Sequence, residues 1–143
     1  MRRNMRTNFF CSAICSSTLK TAEILNSMKD EILCVRGNCD SDVDAMVLEF
    51  PITAAFALLP AGDRTLVLTH GHNEYACLKK GDVLVNGHFH VPAFEERGAC
   101  TYVNCGSVSI PKENSPHSYL VLENDTLVWK DVETGEIFRK ASL

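Results

Sequence analysis

Apolar residues change spacing along the chain, and each change predicts an element. TLKTAEILNSMKD (Thr18–Asp30) carries Leu19, Ala22, Ile24, Leu25 and Met28 at three- and four-residue intervals, which predicts an amphipathic helix ending at Asp30. EILCVR (Glu31–Arg36) is an apolar run of strand formers stopped by Gly37, the pattern of a strand buried on both faces. SDVDAMVLEF (Ser41–Phe50) predicts a short helix. Ser41 suits its N-cap, Asp42 and Asp44 suit its positive first turn, and Pro51 ends it. ITAAFALL and RTLVLT flank Pro60, Ala61, Gly62 and Asp63, which predicts a hairpin with a four-residue turn. DVLVN (Asp82–Asn86) is another buried strand. From Pro92 onward, short strand runs alternate with Gly, Asn and Asp, as in consecutive antiparallel hairpins. Helices in front and strands behind predict a layered α/β sandwich.

The first seventeen residues, MRRNMRTNFFCSAICSS, follow neither period and stand apart from residues 18–143. A basic opening before a short apolar run fits a targeting peptide, but FFCSAIC is at the short limit for one. A disordered or misread start is the plainer reading. Charge divides the chain similarly. Residues 1–20 carry Arg2, Arg3, Arg6 and Lys20 and no acid, whereas the remainder sets ten Lys and Arg against eighteen Asp and Glu.

Composition narrows the class. At 45% hydrophobic and 22% charged over 143 residues, the chain is too apolar for intrinsic disorder and long enough for one packed domain. It contains no run of about 18 apolar residues, so no membrane-spanning segment is expected. The net charge of −4 argues against nucleic acid, which favours a basic face. The seven cysteines are odd in number, form no C-x-x-C pair and fall partly inside strand-like runs. They read as reduced thiols of a cytoplasmic protein rather than as a disulfide framework.

Four of the five histidines lie within one short stretch, each pair after a strand-like run. RTLVLT leads into His70-Gly71-His72, and DVLVN leads into Gly87-His88-Phe89-His90. EILCVR leads into Gly37-Asn38-Cys39-Asp40. Three buried strands that each end in Gly and polar donors point to a common edge, where open α/β sheets bind ligands. Imidazole is the commonest metal ligand, and His88 and His90, at i and i+2 on a strand, would face the same way. Mixed nitrogen and oxygen donors suit Mn, Fe, Co, Ni or Zn better than Ca or Mg. His117, between Pro116 and Ser118, reads as a loop residue.

VRGNCDSDVD, LTHGH, VNGHFHVP and VNCGSVSIPKE, in this order, resemble the calcineurin-like metallophosphoesterases, and among them the small prokaryotic phosphodiesterase branch. The resemblance runs from about Thr21 to the C-terminus. It implies a four-layer α/β/β/α sandwich whose two divalent metals clamp a phosphate and activate a bridging hydroxide. Manganese is the first expectation, with nickel, iron, cobalt or zinc also compatible. By the resemblance, Asn38, His70 and His88 would hold one metal and His90 the other. Asp40 and His72 would lie beside the site without binding metal, Asp40 orienting its neighbours. The substrate would be a small-molecule phosphate ester, with neither nucleic acid nor membrane as a partner. Many members carry His in the middle of the G-N-x-D turn, where this chain has Cys39.

The departures are as informative as the match. The family opens with a strand ending in Asp-x-His, and a later strand ends in a Gly-Asp whose Asp bridges both metals. Residues 1–36 contain neither pattern; their only acids are Glu23, Asp30 and Glu31. Three expected ligands are therefore absent, which suggests an N-terminally truncated, alternatively started or frameshifted sequence and an incomplete sandwich. The expectation is a crippled phosphodiesterase prone to association through an uncovered strand edge, in the limit a homo-oligomer. A non-catalytic remnant or interaction scaffold of the same fold is the alternative. A structural zinc domain is disfavoured because paired C-x₂₋₄-C knuckles are missing.

Overall fold

The computed structural model describes residues 9–11 (as backbone), 19–71 and 78–143. Its centre is a five-stranded sheet in the order β3-β4-β5-β7-β6, built from β3 (Phe56–Ala61), β4 (Arg64–Thr69), β5 (Asp82–Asn86), β6 (Ala93–Arg97) and β7 (Cys100–Asn104). β4, β5 and β7 run parallel, so Thr69, Asn86 and Asn104 end at one edge; β3 and β6 pair antiparallel at the margins. Asn86 and Asn104 are direct register partners. β5 has the bounds that its apolar run predicts.

A second β layer closes over this sheet. β1 (Phe9–Cys11) pairs in parallel with β2 (Leu33–Val35), and β8 (Ser118–Glu123), β9 (Thr126–Asp131) and β10 (Ile137–Ser142) form an antiparallel meander. The shared core joins Val35 of β2, Leu127 and Trp129 of β9, and Leu66, Leu68, Val83, Val85 and Val103 of the large sheet. Each such side chain contributes about 1.5–3 kcal/mol by leaving water. The neighbouring residue Cys34 points the other way, into a second core with Ala22 of helix α1 (Leu19–Asn26) and with Leu48, Phe50 and Ile52. That two-sided burial is why EILCVR reads as a continuous apolar run. The result is a mixed α/β sandwich, as the resemblance implies; among the described residues, the helices lie against β2.

Several boundaries differ from the sequence reading. α1 stops at Asn26 rather than Asp30, because the Asn26 side chain donates to Val47 O at 3.0 Å and accepts from Glu49 N at 2.8 Å. A single 3₁₀ turn, Lys29–Glu31, follows it. Helix α2 (Asp42–Val47) starts on the Ser41–Asp44 capping box but ends three residues short of Phe50. Beyond Val47 the chain extends so that Leu48, Phe50 and Ile52 alternate inward, and their burial outweighs helix propensity. The hairpin turn is two residues, Gly62–Asp63, not four. Gly62 has φ +61 and Pro60 is accommodated inside edge strand β3. β2 is not in the sheet of β4 and β5, so the three site-bearing strands span two layers. The N-terminal segment is not wholly irregular either: Phe9–Cys11 occupies one edge of β2.

Candidate metal centre

The site begins where the apolar strands stop. Thr69, Asn86 and Asn104 are almost wholly buried at the ends of β4, β5 and β7, and the residues that follow form turns over that edge. His70 follows Thr69 directly and is 5% exposed. The Gly87 N–H donates to His70 O at 3.3 Å, tying the turn after β5 to the end of β4. Gly71 has φ +123, and a β-carbon there would lie 3.1 Å from His88 Cβ, so a side chain would crowd the second histidine.

Asn38, His70 and His88 come together. His70 Nε2 is 2.8 Å from Asn38 Oδ1, and His88 Nδ1 is 3.2 Å from the same His70 nitrogen. The two imidazoles meet edge to face with centroids 5.1 Å apart. One ring nitrogen cannot donate to Asn38 and accept from His88 at once, so these atoms do not close a hydrogen-bond set. Three neutral donors converging from three elements fit one divalent cation of the imidazole-preferring series. They do not fit two. Among the described residues, no three His, Cys, Asp or Glu side chains gather around a metal-sized space.

The other expected residues are placed differently. His88 and His90 lie beyond the end of β5 with φ +48 and +63, so strand alternation does not govern where they point. His90 Nδ1 sits 2.7 Å from Ile110 O rather than joining the trio. Asp40 is 7% exposed; its Oδ2 accepts from Gly37 N at 2.7 Å, which fixes the turn carrying Asn38, and its Oδ1 has no hydrogen-bond partner among the described residues. Cys39 is exposed. His72 lies outside the described residues. Glu23 sits on α1, and Asp30 and Glu31 sit in the turn before β2, at the opposite end of that strand from Asn38. An open hollow of about 350 Å³ adjoins the trio, walled in part by Arg36, Thr53 and Thr69.

Sequence reasoning assigned no site role to two buried amides, reading the Asn104–Cys105 segment as architectural. Asn104 donates through Nδ2 to Asn86 Oδ1 at 3.0 Å and to Gly87 O, and its Oδ1 accepts from Gly106 N at 2.9 Å. Trp129 Nε1 donates to Asn104 O at 2.9 Å. The signal was present: each Asn ends an otherwise apolar strand. Cys105 adds a backbone donation to Asn86 O at 3.1 Å, and burial pushes its thiol up to about 11. Burial does the same to Cys34, with the Asp40 carboxylate adding to it.

Residues 6–127 match the calcineurin-like phosphoesterase superfamily domain, and the chain belongs to that family of divalent-metal phosphoesterases. It is 48% identical to Phosphodiesterase YfcE of Escherichia coli over 112 residues, covering 76% of this chain and 61% of that protein. It is 33% identical to the probable metallophosphoesterase YsnB of Bacillus subtilis over 104 residues, 64% of this chain and 57% of the relative. The chain thus spans about three fifths of the curated relatives it matches. Among solved structures, the Yfce phosphoesterase from E. coli superposes with a TM-score of 0.82 at 42% identity, covering 87% of this chain and 70% of that one. Vps29 from Entamoeba histolytica shares the fold at a TM-score of 0.61 and 20% identity, covering 93% and 79%.

Proposed function

We propose that this chain carries the histidine half of a phosphodiesterase centre, which holds one divalent ion weakly and hydrolyses small-molecule phosphate esters slowly. The observation that carries this reading is the convergence of Asn38, His70 and His88 at the strand ends. Asn38, His70 and His88 would hold the ion, manganese first, while His90, turned to Ile110 O, would be the ligand of a second ion. A bound divalent ion supplies Lewis-acid polarisation of a phosphoryl oxygen and acidifies water. The protein's own part is orientation. Asp40 braces the Asn38 turn, and the Gly87–His70 bond fixes the spacing of the two turns. Arg36, on the wall of the adjoining hollow, offers a cation to a phosphate. The shortage of carboxylates around these donors among the described residues is the reason for one ion rather than two, and for slow turnover. Free thiols at Cys34, Cys39, Cys100 and Cys105 support a reducing, cytoplasmic setting.

The test is hydrolysis of bis(p-nitrophenyl) phosphate with Mn²⁺. The expected result is a rate above Mn²⁺ alone, far below the usual enzyme range of ~1–10³ s⁻¹, and lost in His88→Ala. A rate inside that range would overturn the one-ion reading. A rate equal to Mn²⁺ alone would overturn catalysis and favour an interaction scaffold, for which Phe56 and Leu58, exposed on edge strand β3, offer apolar contact surface.

A further inference from the structure

His88 adopts a backbone conformation that non-glycine residues rarely take. Its φ is +48, and the Phe89 N–H donates back to Gly87 O at 2.5 Å. An i→i+2 bond around a left-handed central residue is the rarer, strained form of γ-turn. Such strain costs about 1–3 kcal/mol and persists only where surrounding structure imposes it. The Gly87 carbonyl is the hinge of this turn, and it receives a second donor from outside: the side-chain amide of Asn104.

We infer that Asn104 is a positioning residue that holds the Gly87–His88 turn in its strained form and so keeps the His88 ring against His70. Its amide is fully committed to this task. Nδ2 bonds Gly87 O and Asn86 Oδ1, and Oδ1 receives the Gly106 N–H. Asn104 is 1% exposed, so no water competes for these bonds. The Trp129 indole N–H donates to the Asn104 backbone carbonyl at 2.9 Å, a separate bond that leaves the side-chain amide untouched. The adjacent Cys105 N–H donates to Asn86 O, a bond that proline at this position could not make. Without the Asn104 donors, one carbonyl loses its external partner, His88 relaxes towards negative φ, and its ring swings off His70. This deepens the proposed function, because the His70–His88 contact is part of the proposed metal centre.

The experiment compares Asn104→Asp, which keeps the shape and the Gly106 contact but removes both donors, and Asn104→Ser with Trp129→Phe. The last removes the indole donor from the Asn104 backbone but keeps an aromatic ring in the core. All are compared well below their melting points, which separates positioning from general destabilisation. Two readouts are taken: the NMR cross-relaxation between the His70 and His88 rings without metal, and Mn²⁺ affinity. The expected result is loss of the ring contact and at least a tenfold weaker Mn²⁺ affinity in folded Asn104 variants, with both retained in Trp129→Phe. A folded Asn104 variant that keeps the ring contact overturns the inference. So does loss of the contact to the same degree in Trp129→Phe, which would mark a purely structural effect. Should the parent chain bind no Mn²⁺ at all, the metal reading fails while the ring contact still decides the role of Asn104.

Discussion

The two sides of the candidate centre are built to different standards. On one side, the ends of β4, β5 and β7 form a parallel edge whose terminal residues Thr69, Asn86 and Asn104 are buried and whose turns are cross-tied by Gly87 N–His70 O and by the Asn104 amide. On the other, β1 and β2 form a parallel pair of three residues each, and the turn after β2 presents Asn38 and an exposed Cys39. The first side delivers two imidazoles held by a core that includes Trp129. Among the described residues the second delivers one amide oxygen, and Asp30 and Glu31 lie in the turn at the far end of β2. A strand edge can thus be well packed whatever donors it carries, because packing needs apolar side chains whereas metal binding needs donor side chains at particular strand ends.

The largest expected effect is in the well-built half. Trp129→Ala empties a fully buried site and removes the donor to Asn104 O, and should cost about 3–5 kcal/mol in urea denaturation. A loss under about 1 kcal/mol would show that the meander does not brace the histidine edge. Next in size is Gly106→Ala. A β-carbon there would lie 2.1 Å from Ser118 Oγ and 2.9 Å from Pro92 Cγ, with φ +82, which predicts a loss of about 2–4 kcal/mol. Gly62→Ala meets nothing within 4 Å and carries only the left-handed penalty, about 1 kcal/mol. The pair separates close packing from backbone strain.

Alkaline pH sharpens the comparison through one thiol on each side. Cys34 and Cys105 are raised from 9.0 to about 11 by burial, so the folded chain holds these protons after the unfolded chain has released them. Their contribution is complete below about pH 9 and is lost as pH rises through about 11. The loss should approach about 2–3 kcal/mol for Cys34, and less for the half-buried Cys105. Denaturation midpoints at pH 8 and pH 10.5 check it, with iodoacetamide expected to label exposed Cys39 before either. The smallest effect concerns local opening. Amides of the β1–β2 pair should exchange faster than those of β5 and β7, and equal protection would remove the contrast between the two sides.

The legible parts of the sequence are those where one force dominated. DVLVN gave its own bounds because both faces are buried, and Ser41 gave the start of α2 because capping is local. Leu48 and Phe50 looked helical in sequence but extend, since the core they enter with Ile52 lies across α1 and β2. The site was legible as strand ends rich in Gly, His and Asn. The roles of Asn86 and Asn104 were not, because a buried amide network depends on strand register, and register was out of reach. The orientation of His90 was hidden likewise by its positive φ.

The most direct test of the central claim is the number and affinity of divalent ions bound per chain, measured by Mn²⁺ titration calorimetry with metal analysis after dialysis. The account predicts one ion per chain, weakly held and largely removed by dialysis, with binding abolished by His70→Ala or His88→Ala. Two tightly held equivalents surviving dialysis would contradict that number, because Asn38, His70 and His88 would then be supplemented by carboxylates not found around them among the described residues.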